Sequence, residues 1–274
     1  MSAPLRVRHL TRYDYEGGVA LGLQRLRLSP APVPSQRVHR WSVRLGGLKE
    51  EARFADAHGN AVALASVLPG TGRVEIEVEG EAEALRSDGI VGPHEGPPLW
   101  LYLRRTALTS AGPAIRDVAG ALDGGPSLGA LHRLAGEIRA RMPWTAGATD
   151  AATTGEAALA GGAGVCQDHA HAFVAACRSR GVPARYVSGY LLIEGRDDQD
   201  AAHAWAEAHV DGLGWTGFDV SNGYSPDDRY VRLCSGLDYR DAAPVTGIVR
   251  GTHDLRESLT VRLRVTQSTV QSQS

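Results

Sequence analysis

The run Gly161-Gly162-Ala163-Gly164-Val165-Cys166-Gln167-Asp168-His169-Ala170-His171-Ala172-Phe173-Val174-Ala175-Ala176-Cys177 constrains the fold more than any other stretch. Its glycines break whatever precedes them. Ala170, Phe173, Val174 and Cys177 then recur at helical spacing, which predicts a helix with one buried face. Cys166 falls in the first turn. Free N–H groups and the helix dipole favour an anion there, and a thiol so placed ionises more readily to the nucleophilic thiolate. His203, in Ala202-His203-Ala204-Trp205, and Asp219, in Trp215-Thr216-Gly217-Phe218-Asp219, lie downstream. The order Cys, His, Asp fits a nucleophile, a base and an acid that orients the base.

Four blocks carry a resemblance. They are Gly164 to His171, Gly181-Val182-Pro183-Ala184-Arg185-Tyr186-Val187-Ser188-Gly189-Tyr190, His203-Ala204-Trp205, and Gly214 to Asp219. In this order they resemble the core of bacterial transglutaminase-like proteins, within the papain-like superfamily of cysteine proteinase folds. The likeness covers about residues 127–225, and the first hundred residues look like the β-rich domain that often precedes such a core. The resemblance implies an α+β protein with an N-terminal antiparallel β-sandwich over 1–90. A papain/transglutaminase-like core over 91–245 follows, its nucleophile at a helix N-terminus packed on an antiparallel sheet. A strand within 246–274 returns to the N-terminal sheet, ahead of a tail. It implies a thiol-dependent acyl-transfer enzyme that attacks an amide or peptide bond through a thioester, with no cofactor and no metal. Protease, amidase and transglutaminase all fit; the alternative is an inactive binding or scaffold module that keeps the fold. In related proteins the acid is commonly followed by Pro-Thr, whereas here Val220-Ser221-Asn222-Gly223 follows Asp219.

In such a site Cys166 attacks, His203 moves the proton and Asp219 sets the imidazole tautomer. The backbone N–H of Cys166 is one oxyanion donor, and Trp144 or Gln167 supplies a second. Gly164 lets the backbone come close to the substrate carbonyl. Trp205, with Trp215 a core aromatic beside the site, borders the groove.

Composition narrows the partners. A net charge of -2 gives no reason to expect nucleic acid or an anionic membrane. Nothing in Met1-Ser2-Ala3-Pro4-Leu5-Arg6-Val7-Arg8 reads as a signal peptide, and no apolar run is long enough to span a bilayer. The 3 cysteines make a disulfide framework improbable and suit a reducing cytoplasm. A peptide or protein amide is the expected partner.

Residues 5–85 read as short strands: 5–10, 24–28, 38–45, a hairpin over 54–68 turning at His58-Gly59-Asn60, and 74–79. Arg25, Arg27, Arg37 and Arg40 are expected on solvent faces. Gly89–Pro98 reads as a linker. Helical spacing covers 113–122 and 128–142, and Thr153-x-x-Glu156 fits a capping box before a short helix ending at Gly161-Gly162. Strands are expected over 184–193, 202–210, 215–220 and 258–266, with a turn at Asp211-Gly212. Cys177 and Cys234 read as small buried hydrophobes. Of His169 and His171, two apart on the helix, one is expected buried and the other exposed. No Cys-x-x-Cys or paired-His spacing supports zinc. Glu207 is expected to face out of its strand, and Asp168 to be a first-turn acid favoured by the dipole, or one that lowers thiolate stability where it points inward.

Overall fold

A computed structural model describes residues 3–85, 88–251 and 255–268. The chain opens with β1 (Leu5–Glu16), β2 (Val19–Ser29), β3 (Gln36–Gly46), β4 (Leu48–Ala55), β5 (Ala61–Val67) and β6 (Arg73–Ala84). Gly17 and Gly18, with φ of 100° and 75°, carry the chain from β1 in one sheet to β2 in the other, through a backbone conformation that suits glycine. The hairpin expected over 54–68 is the β4–β5 pair, but β4 begins earlier than the sequence reading has it, because it is a charged strand exposed along nearly its whole length. It lies at a sheet edge, where charge discourages pairing with other chains. Arg25, Arg37 and Arg40 are exposed as expected, but Arg27 is buried and paired with Asp56 at 2.9 Å. Asp56 also accepts from the His58 and Asn60 N–H groups, so the β4–β5 turn and the buried guanidinium share one carboxylate.

The second part contains β7 (Ile90–Gly92), α1 (Pro113–Val118), α2 (Leu128–Arg141), α3 (Gly155–Gly161), α4 (Cys166–Ser179), β8 (Ala184–Leu191), β9 (Asp198–Gln199), β10 (His203–Val210), β11 (Gly214–Phe218), β12 (Tyr230–Gly236) and α5 (Tyr239–Ala242). β13 (Val245–Gly251) and β14 (Arg256–Gln267) follow. The core sheet runs β12-β8-β10-β11-β7, antiparallel throughout. The segment that reads as a linker thus contributes β7 to the edge of β11. The two sheets of the first part take the last strands back, in the orders β3-β6-β1-β14-β9 and β13-β2-β5-β4. β14 pairs with β1 from Leu5↔Gln267 to Glu16↔Arg256. The expected tail from residue 269 onward, and Met1-Ser2, lie outside the described residues.

Two amide side chains dock the parts together. Gln36 donates to the Arg232 carbonyl and accepts from the Arg232 N–H, at 3.0 and 2.7 Å. Asn60 does the same at Ser235, at 2.7 and 2.8 Å. Each amide stands in for a neighbouring strand at the free edge of β12, satisfying groups that burial would otherwise leave unpaired.

α4 is buried on every side from Asp168 to Arg178, not on one face. Alanines at 170, 172, 175 and 176 keep it thin enough for α1, α2, α3 and the sheet to close around it. The capping motif before α3 also works differently from its sequence pattern. Thr154, not Thr153, caps α3 by accepting from the Ala157 N–H. Glu156 instead reaches the start of α1, where it accepts from the Gly112, Ala114 and Ile115 N–H groups, each at 2.9 Å. α1 begins with Pro113 and has no side-chain cap of its own, so a carboxylate from α3 fills the role. Glu156→Ala should therefore cost about 2 kcal/mol in urea unfolding. A loss below about 0.5 kcal/mol would show that water replaces the carboxylate.

Candidate active site

Cys166 is the first residue of α4, after Val165. The turn around it is fastened at several points. Asp168 accepts from the Val165 N–H at 2.8 Å and from the Thr149 hydroxyl at 2.6 Å. His169 meets the Met142 carbonyl through Nε2 at 2.6 Å and Ser221 Oγ through Nδ1 at 3.0 Å. Gly164 donates to the Pro143 carbonyl at 3.4 Å and accepts from the Thr145 N–H at 2.8 Å. A Cβ on Gly164 would sit 2.9 Å from both Met142 Sδ and Asp168 Cβ, so only glycine fits this crossing. Trp144, 57% exposed, stands beside it, and its own N–H is not used in that bridge. Gln167, half-buried, follows Cys166.

His203 opens β10, and Asp219 directly follows β11. His203 Nε2 lies 2.5 Å from Asp219 Oδ2, which leaves Nδ1 for the thiol. Burial alone pushes the imidazole pKa down. Hydrogen bonds with Asp219 and Cys166, and the charge of both, overcome it and raise the value to about 10. Asp219 is fully buried. Its Oδ2 also accepts from the Tyr230 hydroxyl at 2.6 Å and Asn222 Nδ2 at 2.7 Å, and its Oδ1 from the Asn222 N–H at 3.1 Å. Burial pushes this carboxyl up; the hydrogen bonds and His203 bring it below its ordinary value. The same contact with Asp219, together with burial, pushes the Tyr230 hydroxyl far up.

The structure thus brings Cys166, His203 and Asp219 together and sets Gly164, Gln167 and Trp144 next to the thiol. Trp205 is a core aromatic beside the site, as expected: it is 2% exposed, with its ring 6.3 Å from His203 and tilted 29° to it. It backs the imidazole, because alternate residues of β10 share a face and His203 and Trp205 are two apart, and at that burial it offers a groove beside the thiol almost no surface. Tyr230 and Asn222 were not found from sequence. The alternation Tyr230-Val231-Arg232-Leu233 was the available sign of β12, and Asn222-Gly223 that of a turn able to cap the acid.

Two more expectations change. His169 and His171 are both buried, since α4 is enclosed all round, and burial lowers both imidazoles, His171 to about 3. Asp168 is a first-turn acid as expected and points inward, with Oδ1 buried and unpaired. Glu207 does not face solvent: it is wholly buried, bonded to Arg185 Nε at 2.5 Å and Arg232 Nε at 2.8 Å. Burial pushes its carboxyl up, but the two guanidiniums override that and hold it at about 2. Cys177 and Cys234 are buried, and burial pushes both thiols up, Cys234 to about 12.

The folded His203 keeps its proton to about pH 10, against about 6.5 for a free imidazole. Its pairing stabilises the protein fully below pH 6.5, and the benefit is lost as pH rises towards 10. Asp219→Asn should lower the His203 midpoint by roughly one to three units in an NMR titration. It should also flatten the alkaline fall in stability. An unmoved midpoint would assign the shift to Cys166 alone.

Comparison with known proteins follows the same division of the chain. Residues 5–83 match the bacterial transglutaminase-like N-terminal region, and residues 116–220 match the transglutaminase-like superfamily. An uncharacterised protein of Mycobacterium leprae is 28% identical over 279 residues, covering 92% of this chain and 95% of its own. One from Mycobacterium tuberculosis is 35% identical over 134 residues, covering 45% and 43%. The fold is similar to a solved structure described as a candidate cysteine protease of Cytophaga hutchinsonii. That likeness has a TM-score of 0.74 at 18% identity and covers 97% of this chain and 91% of the other. The chain is thus a bacterial transglutaminase-like protein, an N-terminal region of that family followed by its transglutaminase-like core.

Proposed function

We propose that the protein is a thiol-dependent acyl-transfer enzyme acting on an amide or peptide bond. One observation carries the reading: a part-exposed cysteine at a helix N-terminus meets an imidazole whose other nitrogen is held by a buried carboxylate. His203 takes the Cys166 proton and the sulfur attacks the carbonyl carbon. The oxyanion forms against the Cys166 N–H, with Gln167 or the spare Trp144 N–H as second donor. As the C–N bond breaks, His203 gives its proton to the departing amine, leaving a thioester. Water, or a second amine, then loses a proton to His203 and attacks the thioester, and the sulfur recovers the proton. Asp219 keeps Nε2 protonated and directs Nδ1 at the sulfur throughout.

Three unpaired thiols suit a reducing compartment, and we place the enzyme in the cytoplasm on that ground. Among the described residues no helix is long and apolar enough to cross a membrane.

Iodoacetamide followed by peptide mapping should label Cys166 in the native protein well ahead of Cys177 and Cys234. His203→Ala should slow that labelling near neutral pH. Uniform or absent labelling would favour a scaffold that merely retains the fold. With a peptide-amide library as substrate, Cys166→Ala should abolish turnover, and Asp219→Asn should reduce kcat roughly a thousandfold or more with the fold intact. Full activity in Asp219→Asn would make the acid structural.

A further inference from the structure

The face of the core sheet that carries Glu207 looks into a cleft of about 460 Å³, within the range of small-molecule sites. It lies between β8, β11 and β12 on one side and the Pro32–Pro34 and Asp56–Gly59 loops on the other. Arg185 and Arg232 line it and are nearly buried, at 5% and 8% exposure. Arg185 lies over Trp215, its Cζ 4.0 Å from the ring centroid, a cation–π contact that helps hold the guanidinium in place. Both Nε groups bind Glu207. Arg185 also meets the Tyr102 hydroxyl, but no carboxylate or carbonyl of the described residues accepts from Arg232 Nη1 or from either Nη of Arg185.

Two cations therefore share one anion, leaving a net positive charge on a floor largely removed from water. A buried charge without its full complement is costly. The remaining acids do not supply it. Asp56 is engaged by Arg27 and Asn60, and Glu95 sits at the exposed rim. The walls mix apolar and polar groups: Pro34, Pro97, Val33 and Val91 supply apolar surface, and His58 and Glu95 are polar. Gln36 and Asn60 clamp β12 on the loops of the N-terminal part, so the cleft is built before anything enters it.

We propose that this cleft binds a small carboxylate with an apolar body, its anionic end on the Nη groups of Arg185 and Arg232. Paired N–H forks match a carboxylate in two-point fashion. One excess positive charge suits a monoanion better than a phosphate dianion. The cleft is lined by none of Cys166, His203 and Asp219, so its occupancy is read separately from the reaction at Cys166.

Sodium benzoate is a fitting probe. Calorimetry and thermal unfolding at constant ionic strength would compare it with sodium chloride and inorganic phosphate. Benzoate should bind saturably, with a Kd of about 1 mM or below, and raise Tm. Arg232→Gln should weaken it at least about tenfold. Ala57→Trp, an exposed loop change that fills the cleft, should abolish binding and leave the Tm of the free protein unchanged. This second variant keeps the test decisive if Arg232→Gln fails to fold. No saturable effect beyond chloride, unchanged binding in Ala57→Trp, or tighter binding of phosphate would each overturn the proposal.

Discussion

The enclosure of α4 is the constraint on which the rest of the molecule depends. A helix buried on all sides has no freedom to slide or rotate, because every side chain from Asp168 to Arg178 meets a neighbour. Its two ends do different work. At the C-terminal end Arg178 donates to the carbonyls of Tyr102, Ala184 and Leu237 and to Thr109, drawing four separate segments to one guanidinium. At the N-terminal end Asp168 and His169 fasten the Met142–Thr149 segment and the loop after Asp219. Cys166 is therefore held from below by packing and from the sides by hydrogen bonds, while its sulfur stays partly open.

The acid of the site shows how local polarity is used. Asp219 collects hydrogen bonds from His203, Tyr230 and both nitrogens of Asn222. A buried carboxylate without such donors would resist ionisation. With them it stays charged in a water-poor setting, where its influence on the imidazole is strong. The loop Val220-Ser221-Asn222-Gly223, which departs from the Pro-Thr of related proteins, supplies two of these donors. Its Ser221 also contacts His169 under the cysteine turn.

What sequence makes legible follows from range. The helix at Cys166, the strands of His203 and Asp219 and most strands of the first part rest on periodicity, a local property. The roles of Glu156, Glu207 and Arg27 are not legible because they lie with distant partners. Glu156 looks like an ordinary third residue of a helix until Gly112 to Ile115 arrive from more than forty residues away. Glu207 looks like the polar side of a strand until Arg185 of the adjacent β8 and Arg232 of β12, one strand further, reach it across the sheet. Tyr230 escaped notice because β12 is short and its partner β8 is remote in sequence. Charge patterns seen one segment at a time favour solvent, and only pairing across the sheet reverses that preference.

The return of β13 and β14 to the first two sheets sets an order of events during synthesis. Until the last strands emerge from the ribosome, β1 and β2 are open edges with unpaired backbone groups, although the core sequence is already complete. The N-terminal part, made first, is thus finished last. Its closure brings together residues separated by nearly the whole chain, contacts of the kind that slow folding. A nascent chain halted just before residue 245 would carry every residue of the proposed catalytic set beside two incomplete sheets. Such a fragment invites edge-to-edge association, which the pairing of β1 with β14 and of β2 with β13 prevents.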